Sequence, residues 1–137
     1  SNFNIINENR LNSIVGTCLN KLGDARPYYF DYGNELFVSF SSNIDTNVME
    51  SIDLFDLLDG GNIALVGNEL IQFETVELQE NGSFKISKLL RGQYGTEEYI
   101  SKHSDNEKFI FINKGLISNQ LTLNDVDVSY DFKVITF

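Results

Sequence analysis

The chain has 137 residues, of which 42% are hydrophobic and 22% charged, enough for one domain with its own core and too apolar for a disordered tract. Twenty acidic residues against ten basic ones give a net charge of −10, a field that repels phosphate backbones and anionic lipid, so nucleic acid is not an expected partner. No apolar run approaches the ~20 residues that cross a bilayer, so membrane insertion is not expected, and a single cysteine excludes an internal disulfide.

In chain order, Ile14, Val15 and Leu19 around Gly16 suggest a short strand. Leu36, Val38 and Phe40 alternate with Phe37 and Ser39, which predicts a strand between Asn34 and Ser41. Asp53 to Leu58 reads as a short helix stopped by Gly60-Gly61, with Asp53, Asp56 and Asp59 on a solvated face opposite Leu54, Leu57 and Leu58. A hairpin follows: Leu70–Leu78 and Phe84–Ile86 flank Asn81-Gly82, a pair in which both residues tolerate positive φ. Its first arm changes phase between Ile71/Phe73 and Val76/Leu78, which predicts a bulge near Glu74-Thr75. Thr96 as N-cap with two glutamates behind it predicts a helix from Glu97 to Lys102.

Phe109–Ile112 is apolar on both sides and reads as a central strand. Val126, Val128, Tyr130, Phe132 and Val134 alternate with polar residues as in a half-buried antiparallel strand. The expected fold class is all-β: an antiparallel β-barrel or sandwich with one or two short helices. Continuous strand segments with few polar edges favour the closed barrel. Residues 1–137 are read as a single mostly-β domain. Because the chain starts Ser1-Asn2 without methionine, it is expected to be a fragment of a larger protein.

"RGQYGTEE" lacks the third glycine of a dinucleotide fingerprint and the Lys-Ser/Thr end of a P-loop, so an anion cradle is not expected. Gly92 and Gly95 permit backbone angles that other residues resist, and the Arg91 guanidinium suits loop carbonyls or a carboxylate. Cys18 and His103 sit in no known nucleophile context, and one histidine with one cysteine makes a poor zinc set. Asp53, Asp56 and Asp59 do not follow the alternate-residue spacing of an EF-hand loop. With no paired carboxylates singled out, neither a metal nor another cofactor is expected, and catalysis is not expected. Tyr28, Tyr29, Phe30 and Tyr32, after Arg26-Pro27, form an aromatic cluster read mainly as core and interface. The other reading is a sugar-stacking platform, with Tyr94 as a further ring.

From Ser13 to Leu116, four ordered stretches, "SIVGTCLNKL", "FDYGNELFVSF", "LLDGGNIALVGNELIQFETVEL" and "GSFKISKLLRGQYGTEEYISKHSDNEKFIFIN", together resemble the C-terminal domain of the tail-tip protein of phages and gene transfer agents, called the baseplate megatron or host-specificity protein. Two departures stand out: Gln93-Tyr94 replaces a usually basic pair, and Asn106 stands where glycine is common. Loss of charge in the loop argues against a catalytic or anion-binding duty there. The resemblance implies a structural domain without catalytic residues, in a virion or tail-like particle made in the bacterial cytoplasm. Its implied partners are other tail-tip or baseplate domains or subunits, in a trimer in the full-length assembly, and a host cell-surface glycan or protein. Arg91-Gly92 and Gly95-Thr96 would turn the chain out of the hairpin, and Glu97 and His103 would pin the crossover. The alternative is a carbohydrate-binding β-module without catalytic activity.

Overall fold

The computed structural model describes residues 14–112 except Asn43 and Val48; the strand expected from Val126 to Val134 lies outside them. Among the described residues seven strands form, in the order β1 Ile14–Cys18, β2 Phe30–Asp31, β3 Leu36–Ser39, β4 Ile63–Val66, β5 Glu69–Leu78, β6 Phe84–Gln93 and β7 Lys108–Ile112. Helix α1 spans Leu54–Leu58, and a 3₁₀ turn spans Glu97–Tyr99. Neighbouring strands run β6-β3-β1-β7-β4-β5, and β5 pairs back onto β6, so six antiparallel strands close a barrel. Strand β2 pairs antiparallel with the second half of β6 through Phe30↔Leu90 and Asp31↔Leu89. The closed barrel with one short α-helix is the architecture expected from the strand patterns. Closure leaves the ring itself without an open edge.

The interior follows the alternation of the strands. Cys18, Leu36, Val38, Val66, Ile71, Phe73, Ile86, Leu89, Phe109 and Phe111 form one buried cluster. Phe73 lies 6.0 Å, centroid to centroid, from both Phe109 and Phe111, in tilted geometry that suits the ring quadrupoles. Gly16 in β1 is required by this packing: a Cβ there would lie 2.6 Å from the Phe40 ring and from the Ser39 carbonyl. Strand β4 is buried at all four positions, so it carries no alternation to read from sequence. The signal that could have revealed it is Gly67-Asn68, a two-residue connection between Val66 and Glu69. Gly67 has φ 61, suiting the first position of a type II′ hairpin turn.

The β5–β6 hairpin departs from expectation at both ends. Asn81 does not share the left-handed conformation of Gly82, whose φ is 90. Gln79 N–H donates to the Ser83 carbonyl (2.8 Å) and Gly82 N–H to the Gln79 carbonyl (2.9 Å). The loop therefore holds three residues, with glycine at the bulge position of a type I turn. Asn81 instead caps it by accepting from Ser83 N–H (2.9 Å) and Oγ (2.7 Å). No register shift occurs at Glu74-Thr75; Phe73↔Leu89 and Thr75↔Ser87 stay in step. Lys88, at φ 60, lies in the facing stretch, so both strands change face together. The true shift lies between Leu70 and Gln72, where Arg91 and Gly92 oppose Ile71 alone.

Helix α1 is capped by Asp53, whose side chain accepts from Asp56 N–H at 2.9 Å. It ends with Gly60 N–H donating to the Leu57 carbonyl (3.0 Å) and Gly61 N–H to the Asp56 carbonyl (2.9 Å), a Schellman close with Gly60 at φ 94. Only Leu57 of its leucines is buried. Leu54 and Leu58 are exposed with Phe55, which corrects the expected apolar face. The second helix shortens to the 3₁₀ turn, and the Thr96 side chain makes no cap bond there. Its hydroxyl is engaged elsewhere, accepting from Leu70 N–H (3.0 Å) and donating to the Gln93 carbonyl (2.8 Å).

Candidate functional site

The bulge in β6 turns Arg91 into the protein, and it becomes the bulkiest fully buried side chain among the described residues. Its Nε donates to Glu69 Oε2 at 2.9 Å, Nη2 to Glu69 Oε1 at 3.1 Å, and Nη1 to Asp31 Oδ2 at 2.8 Å. A longer bond from Nη2 reaches the Ile100 carbonyl at 3.4 Å. The fork-to-fork pairing with Glu69 is the strong, geometrically specific form of an arginine–carboxylate contact. Three parts of the chain supply the partners, so one side chain ties β2, β5, β6 and the segment after the 3₁₀ turn.

Glu69 is fully buried and also accepts from Gly92 N–H (2.6 Å) and His103 Nε2 (2.7 Å). The other ring nitrogen, Nδ1, lies 2.6 Å from Glu107 Oε1. Asp31, Arg91, Glu69, His103 and Glu107 thus alternate in sign along one chain of contacts. A carboxylate only accepts, so an imidazole between two of them is satisfied at both nitrogens when both carry protons. Burial pulls the His103 pKa down, but the bonds and charges of Glu69 and Glu107 outweigh it and hold it above 6.5. Burial pushes Glu69 up, and His103, Arg91 and Gly92 N–H together bring it below its ordinary value. Asp31 is likewise lowered, burial being outweighed by Asn34, Arg91 and the Gly33 and Asn34 backbone N–H groups.

Each oxygen of Asp31 and Glu69 receives two hydrogen bonds. Such a carboxylate gives up a hydrogen bond to take a proton or a cation, so neither Asp31 nor Glu69 is open to a substrate. Cys18, near this chain through its N–H bond to the Glu107 carbonyl (2.8 Å), is buried. Burial and the Glu107 charge push its thiol up to about 12, which removes thiolate chemistry near neutral pH. Among the described residues, no group of three or more His, Cys, Asp or Glu is placed to hold a metal ion. Gly67 leaves the space that the Glu107 carboxylate occupies, since a Cβ there would collide with it.

The other singled-out residues lie around this chain. Gly92 (φ 61), Tyr94 (φ 56) and Gly95 (φ 83) reverse the strand into the 3₁₀ turn, with Thr96 N–H reaching the Gln93 carbonyl at 3.3 Å. A Cβ on Gly92 would meet Ile100 Cδ1 at 2.8 Å and the Glu97 Cα at 3.0 Å. Glu97 is not part of the buried chain; it accepts from the Tyr28 hydroxyl at 2.7 Å on the surface.

Tyr28 is 81% exposed, Tyr32 69% and Tyr29 58%, so the core reading is corrected for these three, while Phe30 is half-buried. Their loop connects to a short edge strand whose inward side is taken by Asp31. Sequence reasoning did not single out Asp31, Glu69 or Glu107. Glu69 carried a signal: it falls in phase with Ile71 and Phe73, and an acid on a core-facing phase needs a buried cation.

Residues 13–110 match a family model described as Rcc01698-like, C-terminal. No curated protein matches, and no solved structure matches.

Proposed function

The chain belongs to the Rcc01698-like, C-terminal family, and from that membership we propose that it is a structural domain of a phage-like or gene transfer agent tail-tip protein. In this role it is a non-catalytic β-barrel that packs against neighbouring tail-tip or baseplate domains and stands close to the host cell surface. The observation that carries the reading is the saturation of the buried charge chain. Both oxygens of Asp31 and of Glu69 are each held by two donors, from Arg91, His103, Asn34 and backbone N–H groups, and both His103 nitrogens face carboxylates. A site made for turnover keeps a donor or acceptor free for substrate; one made for rigidity does not. The acidic surface suits a domain kept apart from the nucleic acid its particle carries.

The test uses the full-length parent protein with an epitope inserted at Asn81-Gly82. That site is the exposed tip of the β5–β6 hairpin, where a Cβ on Gly82 would meet nothing within 4 Å. Immunogold electron microscopy of purified particles is expected to place the label at the distal end of the tail. Label on the capsid, or particles without label although the tagged protein is made, removes the reading.

A further inference from the structure

We infer that the loop around β2 is a saccharide-binding site, formed by the open depression between Arg26, Tyr29, Phe30 and Tyr32. The depression has a volume of about 320 Å³ and is floored by Asp31, which puts it at the small end of ligand sites. A structural tail-tip domain does not require such a site, so this goes beyond the proposed function.

Three features point to it. The tyrosine rings are exposed, yet each is held in place. Tyr32 stacks on Phe30 at 5.7 Å with 12° between planes. The Arg26 guanidinium lies 4.5 Å above the Tyr29 ring. Tyr28, next in the chain, is anchored by its hydroxyl to Glu97 Oε2 at 2.7 Å. Rings oriented before a ligand arrives lose little freedom on binding, and tyrosine has few rotors to begin with.

Second, Tyr28 adopts φ 71. A bulky side chain in the left-handed region is a true outlier, and such strain collects where a chain presents groups for recognition. Here the reversal turns the tyrosines outward while Asp31 remains fixed inside by Arg91.

Third, the chemistry of the lining selects the ligand class. Its side chains are phenol, phenyl, guanidinium and the Asp31 carboxylate, with no aliphatic chain larger than Ala25. The Asp31 carboxylate already accepts bonds at both oxygens, so the floor does not capture cations. The charge of −10 disfavours a polyphosphate. Flat ring faces that receive the C–H face of a sugar, with phenol hydroxyls and a guanidinium edge for its hydroxyls, fit a saccharide.

Binding is followed by isothermal titration calorimetry, whose signal does not depend on the two tyrosines that the double variant removes. The probes are chitohexaose, maltohexaose, mannohexaose and a polysaccharide released from bacterial lipopolysaccharide. At least one is expected to give saturable binding with Kd of about 1 mM or tighter. The double variant Tyr29→Ala/Tyr32→Ala is expected to weaken it about tenfold or more, as loss of ring stacking does, with an unchanged melting midpoint. Phe55→Ala, which removes another exposed ring (83%) on α1, should leave binding intact. No saturation with any probe, equal binding by the double variant, or equal loss in Phe55→Ala overturns the inference. So does cross-linking of this loop to another particle protein without any saccharide response. None of these outcomes alters the immunogold result, so the two readings fail separately.

Discussion

Arg91 is 1% exposed and its charge is balanced only by groups that the fold brings to it. Replacing it by methionine keeps most of the volume but leaves Glu69 and Asp31 facing an apolar chain. Breaking a buried pair from one side costs about 3–5 kcal/mol, so Arg91→Met should lower the urea midpoint steeply. Removing Glu69 as well, in Arg91→Met/Glu69→Met, should restore part of that loss, because fewer charges are then stranded. An unchanged midpoint in the single variant, or purely additive losses in the double, contradicts the buried tie. The sequence around Arg91 suggested a carboxylate or loop carbonyls as partners but not which ones. Glu69 and Asp31 are 22 and 60 residues away, and only the closed topology brings them together. Asn106 is a residue-level case that was legible: where the resembling family favours glycine, the backbone sits at φ 60, a conformation asparagine tolerates better than most.

At the level of elements, alternation was legible wherever one face was buried and the other wet. Strands β1 and β3 have strictly or partly alternating burial, and the β5–β6 hairpin announced itself by Asn81-Gly82. Strand β4 escaped because four consecutive buried residues look the same on both faces. The position of the bulge escaped because a phase change in one strand does not say whether its partner changes phase too; here Lys88 does so.

The turn out of β6 gives an element-scale prediction. Gly92 and Gly95 both have positive φ, 61 and 83. Backbone strain alone should make alanine milder at Gly92, whose angle is closer to the left-handed well at about +57°. Packing reverses the order: a Cβ at Gly92 runs into Ile100 and Glu97, while at Gly95 nothing lies within 4 Å. Gly95→Ala should cost about 1–2 kcal/mol, the scale of left-handed strain, and Gly92→Ala distinctly more in chemical denaturation. The opposite order would mean that the 3₁₀ turn does not close against β6.

For the whole molecule, the charge chain links stability to pH on both sides. Asp31 and Glu69 are held below their ordinary 3.8 and 4.5. Their contribution is present above those values and is lost as pH falls through the lowered folded pKa. His103 is held above 6.5. Its contribution is complete below 6.5 and is lost as pH rises toward the folded pKa, at about 1.4 kcal/mol per pH unit. Stability should therefore be flat between 4.5 and 6.5 and fall on either side. His103→Gln, which does not titrate, should abolish the alkaline slope in urea unfolding. Readings kept below pH 9.0 avoid Cys18, whose thiol ionises there when unfolded and at about 12 when folded. An alkaline slope that survives in His103→Gln would assign it to another group.

The claim on which the rest depends is that His103 is the cation between Glu69 and Glu107, completing an internal tie in which every Glu69 lone pair is engaged. It is the single histidine of the chain, so its ring resonances need no assignment by mutation. A ¹H–¹⁵N titration of the imidazole is expected to show both ring nitrogens mostly protonated at pH 6.5 and a midpoint above 6.5. A ring mostly neutral at pH 6.5, with a midpoint at or below that value, would contradict it.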